Sequence, residues 1–256
     1  MIKIAIIGAG NVASHLGIAL QHAGAEITAV YARDERKAKA LATKFHTLWV
    51  DDIDKLPANT QLTIIAVKDE AIAEVSNQIN ISGTVAHTSG ILGMDALAKH
   101  KHRGVFYPLQ TLKAGVDVNF NTVPLLLEAS NEETIRLLKK TAKLISQKVS
   151  EVKLHERQMA HLAAVFSNNF TNHLYAVAND ILQTHGLSFD LLKPLIVQTA
   201  QNIQHQLPAE VQTGPAVRGD METIDMHLQL LREHVQYRQL YELISASIIE
   251  QHRNKK

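Results

Sequence analysis

The sequence predicts an α/β fold, a Rossmann-type, mainly parallel sheet followed by an all-helical C-terminal domain. Three observations predict it. Short, nearly continuous apolar runs alternate with helix-period segments over residues 1–152, as in parallel strands covered on both faces. The first of these runs leads directly into Gly8-x-Gly10-x-x-Ala13, and strand signals stop after about Leu154.

Taken in order, Ile2 to Ile7 is the first strand. From Val12 to Ala23 apolar positions recur at helical spacing, and Gly24 supplies the stop. Ile27 to Tyr31 is the second strand, Glu35 to Phe45 the next helix, and Thr47 to Val50 a short apolar stretch. Leu62 to Val67 is the fourth strand and is followed by a helix through Ile79. Thr84 to His87 and Gly104 to Phe106 are the fifth and sixth, ending in Thr88-Ser89-Gly90 and Tyr107-Pro108. Val123 to Leu127 and Lys148 to Val152 are two more, on either side of a helix from Glu132 to Ile145. Strands separated by helices imply right-handed crossovers.

Residues 153–256 are expected to be helical. Met159, Leu162, Ala163, Phe166, Phe170, Leu174, Val177 and Ile181 recur at three- and four-residue intervals, forming a long helix with a continuous apolar stripe. A second helix covers about Phe189 to Gln206, with Pro194 near its start, where it is tolerated. Gln212 to Asp220 is dense in turn formers, and a last helix runs from about Met221 to Ile249. The apolar stripe would serve a monomer core almost as well as a dimer seam.

Composition narrows the function classes. The chain has 26 basic and 25 acidic residues and a net charge of +1, so no bulk field draws in nucleic acid or an anionic membrane. With 46% hydrophobic and 20% charged residues it is a folded protein, not a disordered one. It has no cysteine, which excludes disulfides, thiolate nucleophiles and Cys-based zinc or iron–sulfur sites and fits a cytoplasmic location. The N-terminal apolar run is too short for a signal peptide or membrane span. The basic end, Gln251 to Lys256, reads as a solvated terminus rather than a nucleic-acid arm. No metal site is expected: His155-Glu156 lacks the second histidine of a zinc protease helix, and His100 and His102 have no acidic partner nearby.

The glycine motif gains its meaning from its setting between a strand and a helix. Gly8 makes the tight turn and Gly10 lets the backbone approach a pyrophosphate. Ala13 is small enough for close helix–strand packing. Asn11, Val12 and Ala13 then bring the helix N-terminus to the negative charge. At the end of the second strand, where NAD-binding domains place an acid, the sequence reads Tyr31-Ala32-Arg33-Asp34. Arg33, with Arg36 or Lys37 behind it, suits a 2′-phosphate and hence NADP(H), whereas Asp34 would suit a ribose in a different loop register. Val67 and Lys68, ending the fourth strand, are expected beside the nicotinamide half.

In the C-terminal half, Asn168, Asn169, Asn172 and His173 sit amid large apolar residues and must find hydrogen bonds. Either they satisfy one another across an interface, or Asn169, Asn172 and His173 face a substrate carbonyl, imine or carboxylate. Arg218 could join them for a carboxylate or phosphate, or could form a helix-start ion pair with Asp220 as N-cap. Ser89 lacks the flanking glycine of a hydrolase elbow and is better placed to hydrogen-bond cofactor or substrate.

Gly8 to Leu16, His87 to Gly90, Gly104 to Thr111 and Thr213 to Asp220 together resemble a bacterial family that joins a Rossmann-like domain to a DUF2520 domain, and the resemblance covers essentially the whole chain. The last three motifs are far more specific than the glycine fingerprint. The family is similar in architecture to pyrroline-5-carboxylate reductase, ketopantoate reductase and the β-hydroxyacid dehydrogenases. The resemblance implies an N-terminal NAD(P) domain, a C-terminal domain of the 6-phosphogluconate dehydrogenase C-terminal type, a cleft site between them, and a homodimer through the helical domain. Members carry the label of NADP- or F420-dependent oxidoreductases. Trp49, the single tryptophan, offers no evident platform for F420.

One departure bears on the chemistry. The hydroxyacid dehydrogenases and ketopantoate reductase place a lysine four residues before an asparagine on the first long helix of the second domain. Here that position holds Asn168 if Asn172 is the asparagine, or Val165 if Asn169 is, and no lysine lies between Lys153 and Lys193. The missing proton donor favours an imine reductase, since an iminium already carries its proton. His173 or His87 could still donate one. The expectation is therefore an NADPH-dependent oxidoreductase acting on a carbonyl or imine, with Ser89, Asn169, Asn172, His173 and Arg218 at the substrate. The alternative is a non-catalytic protein that senses NADP(H) or uses it structurally.

Overall fold

The computed structural model describes residues 1–253 and contains an eight-stranded sheet of order β3-β2-β1-β4-β5-β6-β7-β8. The strands are β1 (Lys3–Ile7), β2 (Glu26–Tyr31), β3 (Leu48–Val50), β4 (Leu62–Ile65), β5 (Thr84–His87), β6 (Arg103–Pro108), β7 (Leu125–Ala129) and β8 (Val149–Glu151). Every neighbouring pair is parallel except β6 with β7. The mainly parallel sheet is the one the sequence predicts. Its reason is visible in β4 and β5, which are buried at every position and need cover on both faces.

That cover comes from amphipathic helices. On one face, α1 (Asn11–His22) buries Ala13, Leu16 and Leu20, α2 (Glu35–Lys44) buries Ala38, Leu41 and Ala42, and α4 (Glu132–Ile145) buries Ile135, Leu138, Ala142 and Ile145. The three- and four-residue spacing puts each set on a single stripe. Each large aliphatic side chain so buried contributes about 2 kcal/mol. On the other face α3 (Ile72–Gln78) brings Ile72 and Val75 to Ile7, Ile65, Val85 and Leu97. The chain leaves the sheet centre in opposite directions from β1 and β4, and such a switch point opens a crevice at the strands' C-terminal ends.

The chain forms two compact units, Met1–Ser167 and a second from Asn168 onward. The first includes α5 (Leu154–Ala164), so it extends past the last strand. Arg157 of α5 is fully buried and paired with Glu128 of β7. From Leu154 to Thr184 the backbone stays helical, but Val165–Phe170 is a π-helical stretch before α6 (Thr171–Thr184), where a continuous α-helix was expected.

The second unit is helical as predicted, with different boundaries. The expected Phe189–Gln206 helix is a 3₁₀ turn at Phe189–Leu191 followed by α7 (Lys193–Asn202), with Pro194 in its first turn. The turn-rich loop contains the short α8 (Pro215–Arg218). The single last helix expected from Met221 to Ile249 is corrected to two, α9 (Met221–Leu230) and α10 (Val235–Arg253). Tertiary contact explains the break. A straight helix would hold His227 and Tyr241 about 21 Å apart, whereas the turn lets His227 Nδ1 and the Tyr241 hydroxyl hydrogen-bond at 2.8 Å. Tyr237 of α10 likewise donates to Asp180 of α6 at 2.7 Å.

Burial in this unit is thin. Among its described residues the buried apolar side chains are Ala216 and Ile224, while Leu191, Leu195, Leu230 and Leu243 are each at least 63% exposed. Among the described residues no helix is long and apolar enough to cross a membrane. Residues 254–256 of the basic tail lie outside the described residues.

Candidate functional site

Three turns, those after β1, β4 and β5, lie side by side at the C-terminal edge of the first unit's sheet, next to the turn after β2. The first is the glycine turn. Gly8 has φ +120°, and its N–H donates to the Tyr31 carbonyl at 2.7 Å. A Cβ there would lie 2.2 Å from the Ala66 carbonyl oxygen, so β1 and the end of β4 can approach only because residue 8 has no side chain.

Gly10 begins α1 with extended backbone, no side-chain cap and no acid in the first turn. By contrast Asp34, Asn131 and Asp220 cap α2, α4 and α9 through their side chains. The first amides of a helix have no intrahelical acceptor and sit at the positive end of its dipole. Gly10 is exposed, and a Cβ placed on it would meet nothing within 4 Å. Bare amides facing open space fit a pyrophosphate, and Asn11, Val12 and Ala13 provide them; Ala13 itself is buried against the sheet.

Arg33 is exposed in the turn between β2 and α2. The Asp34 carboxylate accepts the Lys37 amide at 3.1 Å, and that hydrogen bond holds its pKa below the ordinary value. Asp34 therefore caps α2, and Arg33 remains as the open polar group of this turn.

The second turn carries Val67, half-buried, and Lys68, exposed and 3.9 Å from Glu70. Asp69 follows, and its Oδ2 accepts the Ser89 hydroxyl at 2.9 Å. Ser89 lies in the third turn, after β5. Its oxygen also accepts the amides of Ile91 and Leu92 at 3.2 and 3.0 Å, so the hydroxyl is engaged within the loop on both its donor and acceptor sides.

His87, at the end of β5, was a candidate proton donor. It is fully buried: Nδ1 accepts the Ser89 amide at 3.1 Å and Nε2 donates to the Gly93 carbonyl, 3.3 Å away. Burial pushes its pKa down to about 4; the Gly93 bond partly opposes this, and the Arg157 charge adds to it. His87 is thus a neutral strut, and the expectation that it donates a proton is corrected.

Helix α5 braces the same turn. Arg157 donates to Glu128 and to the Leu92 carbonyl, and Gln158 donates to the Ile91 carbonyl at 2.9 Å. One turn further along, Nδ1 of His161 lies 2.8 Å from the Tyr107 hydroxyl, with the rings edge to face. Parallel pairing of His87 with Val105 brings Ser89 and Gly90 level with Tyr107. Burial raises the pKa of Tyr107. Neither residue stands out in the sequence as a site candidate. The available signal was the place of Tyr107 at the end of a predicted strand; nothing in the sequence pairs it with His161.

The remaining candidates belong to the second unit. Asn169 is exposed in the π-helical stretch, and Asn172 and His173 are exposed at the start of α6. Arg218 ends α8, exposed, 3.7 Å from Asp220, whose carboxylate accepts the Thr223 amide at 3.1 Å. This is the helix-start ion pair and N-cap arrangement. Gly8, Gly10, Asn11, Val12, Ala13, Val67, Lys68 and Ser89 thus share one edge of the first unit, while Asn169, Asn172, His173 and Arg218 are carried by the second. Among the described residues no three His, Asp or Glu side chains are grouped to hold a metal.

Residues 1–111 match the model of a Rossmann-like domain, and residues 123–248 match DUF2520, a domain of unknown function. A Bacteroides fragilis protein provisionally named an NADP oxidoreductase is 38% identical, with a TM-score of 0.90 over 97% of this chain and 98% of that one. A reductive aminase from Aspergillus terreus, solved with NADPH and ethyl levulinate, is similar in fold at 14% identity, with a TM-score of 0.72 over 96% and 94% of the two chains. A 1-pyrroline-5-carboxylate reductase from Streptococcus pyogenes is similar in fold at 12% identity, with a TM-score of 0.65 over 98% of each. A search of curated proteins returns no match.

Proposed function

Because this chain belongs to the family that joins a Rossmann-like domain to a DUF2520 domain, we propose that it is an NADPH-dependent oxidoreductase acting on a carbonyl or imine carbon of a small substrate. The observation that carries the reading is the start of α1, left bare of any capping side chain or acid behind the glycine turn. Gly8, Gly10, Asn11, Val12 and Ala13 hold the pyrophosphate, and Arg33 pairs with the 2′-phosphate. Val67 and Lys68 lie at the nicotinamide half. When bound, the reduced dinucleotide supplies a hydride to an electrophilic carbon. Ser89 fixes the turn after β5 through Asp69 and its own loop amides. Asn169, Asn172 and His173, three and four residues apart, offer polar groups to the substrate, and π-helical stretches such as theirs are frequent at functional sites. The names of the similar proteins, NADP oxidoreductase, reductive aminase and pyrroline-5-carboxylate reductase, support the same reaction class.

Calorimetric titration of the protein with NADPH and with NADH tests the reading. Binding of NADPH in clear preference to NADH is the expected result. Absence of binding by both dinucleotides would overturn it.

The same reading includes a homodimer through the helical unit. Leu191, Leu195, Leu230 and Leu243 are exposed apolar side chains of the kind that a second copy would cover. Sedimentation velocity should give a dimer at micromolar concentration; a monomer at all concentrations would remove this part of the proposal.

A further inference from the structure

Hydride transfer to a neutral carbonyl or imine leaves an electron pair on the heteroatom, and that pair must take up a proton. The lysine that serves related dehydrogenases has no counterpart here. Other donors at this edge of the first unit are committed: the Ser89 hydroxyl to Asp69, and the His87 N–H to the Gly93 carbonyl in a fully buried ring. Tyr107 and His161 differ from both. They are half-buried, in direct hydrogen-bond contact at 2.8 Å, and packed on Gly90, where a Cβ would lie 2.8 Å from His161 Nδ1 and 2.9 Å from Tyr107 Cζ. Tyr107 ends β6, two strands from β4 and so about 10 Å along the sheet edge from the turn that carries Val67.

We propose that the Tyr107 hydroxyl is the proton donor to the substrate heteroatom, and that His161, hydrogen-bonded to it, is the positioning residue that returns the proton. This rests on the oxidoreductase reading above and extends it to substrates whose C=O or C=N heteroatom is not already protonated. In the step, the hydride pair from a reduced nicotinamide dinucleotide forms the new C–H bond and the π bond breaks onto the heteroatom. The Tyr107 O–H breaks as the new O–H or N–H forms. The phenolate takes the proton of His161 Nδ1–H as the ring takes up a solvent proton in exchange, so each turnover consumes one proton from solution; the dinucleotide is oxidised and the substrate reduced. Burial holds Tyr107 in its protonated form until it is used. The charged groups facing the pair are Asp69 and Arg157, which act on Tyr107 in opposite directions. A well-placed general acid contributes about 10²–10⁴-fold to rate.

The test can begin before any substrate is identified. Nitration of Tyr107 by tetranitromethane, followed by mass spectrometry, is compared for the protein alone, with NADP⁺, and with 2′-phospho-ADP-ribose, which lacks the nicotinamide. Protection of at least about fivefold by NADP⁺, and none by the fragment, is expected for a hydroxyl facing the reacting ring, since a donor must come within hydrogen-bond reach. Equal nitration in all three overturns the proposal. In parallel, Tyr107→Phe should leave the NADPH dissociation constant within about twofold and lower NADPH oxidation with a panel of ketones and imines by about a hundredfold or more. Turnover within about threefold of the parent would assign the pair to structure alone and overturn the proposal. His161→Gln, which keeps a hydrogen bond to the Tyr107 hydroxyl but has no ring to pass a proton, should lower kcat by about tenfold or more and leave KM within about twofold, the split expected of a group that acts only in the transition state; an unchanged kcat removes the relay. Loss of NADPH binding in the parent protein would be a different failure, that of the oxidoreductase reading itself.

Discussion

Gly8 and Ala66 lie so close that a Cβ on Gly8 would sit 2.2 Å from the Ala66 carbonyl oxygen, a contact between two backbones that no rotamer change relieves. Gly8 also has φ +120°, a region that L side chains rarely adopt. Gly8→Ala should therefore destabilise the protein by about 2 kcal/mol or more, read as a lower midpoint in urea unfolding. Gly10→Ala is the contrast. Its φ of −86° and open surroundings predict stability close to the parent but a loss of NADPH affinity of about tenfold, because the methyl would enter the pyrophosphate's space. Equal NADPH binding by Gly10→Ala and the parent would place the phosphates elsewhere.

Arg33 is exposed, with Asp34 beside it committed to the Lys37 amide. Arg33→Ala should weaken NADPH binding by about tenfold and leave NADH binding unchanged, since a charge-assisted bond to the 2′-phosphate is worth about 1.5 kcal/mol or more. The NADPH effect should shrink as salt rises. A parallel loss for both dinucleotides would mean that Arg33 does not read the 2′-phosphate.

Much of the first unit was legible because its signals are local. The mostly apolar run of β4, the glycine turn between a strand and a helix, and the helical spacing from Glu132 to Ile145 each state their structure within a few residues. The break between α9 and α10 was not legible, because Leu231, Arg232 and Glu233 are ordinary helix formers; the turn is imposed by Tyr241 meeting His227 and Tyr237 meeting Asp180. The same limit applied at the site. Residues pinned to a strand end, such as Ser89, could be placed from the sequence. The partners supplied by α5, His161 to Tyr107 and Arg157 to Glu128, lie 54 and 29 residues away and leave no mark in the local pattern.

The Arg157–Glu128 pair is the costliest of these contacts to break. Arg157 is fully buried, and one guanidinium nitrogen, Nε, has no hydrogen-bond partner among the described residues. Removing the carboxylate strands a charge in the interior. Glu128→Ala should lower stability by about 3 kcal/mol, with the turn at Ile91 and Leu92 loosening in hydrogen exchange. A loss under about 1 kcal/mol would mean that water reaches the guanidinium once Glu128 is gone.

His87 gives the protein a pH dependence whose sign is fixed by its surroundings. Burial lowers its pKa in the folded state from 6.5 to about 4. Between those values the unfolded chain binds a proton that the native protein does not, so unfolding free energy rises with pH across the window. The stabilisation is fully present above about pH 6.5 and is lost as pH falls towards 4, up to about 3 kcal/mol in all, because each tenfold difference in proton affinity between the two states is worth about 1.4 kcal/mol. Urea unfolding at pH 7 and pH 5 should show this loss in the parent. His87→Gln retains one donor for the Gly93 carbonyl and one acceptor for the Ser89 amide, but it has no proton to gain. The variant should therefore be less sensitive to acid than the parent over the same interval, whatever its stability at pH 7. An identical pH slope in both proteins would mean that His87 reaches solvent and is not the buried neutral strut of the β5 turn.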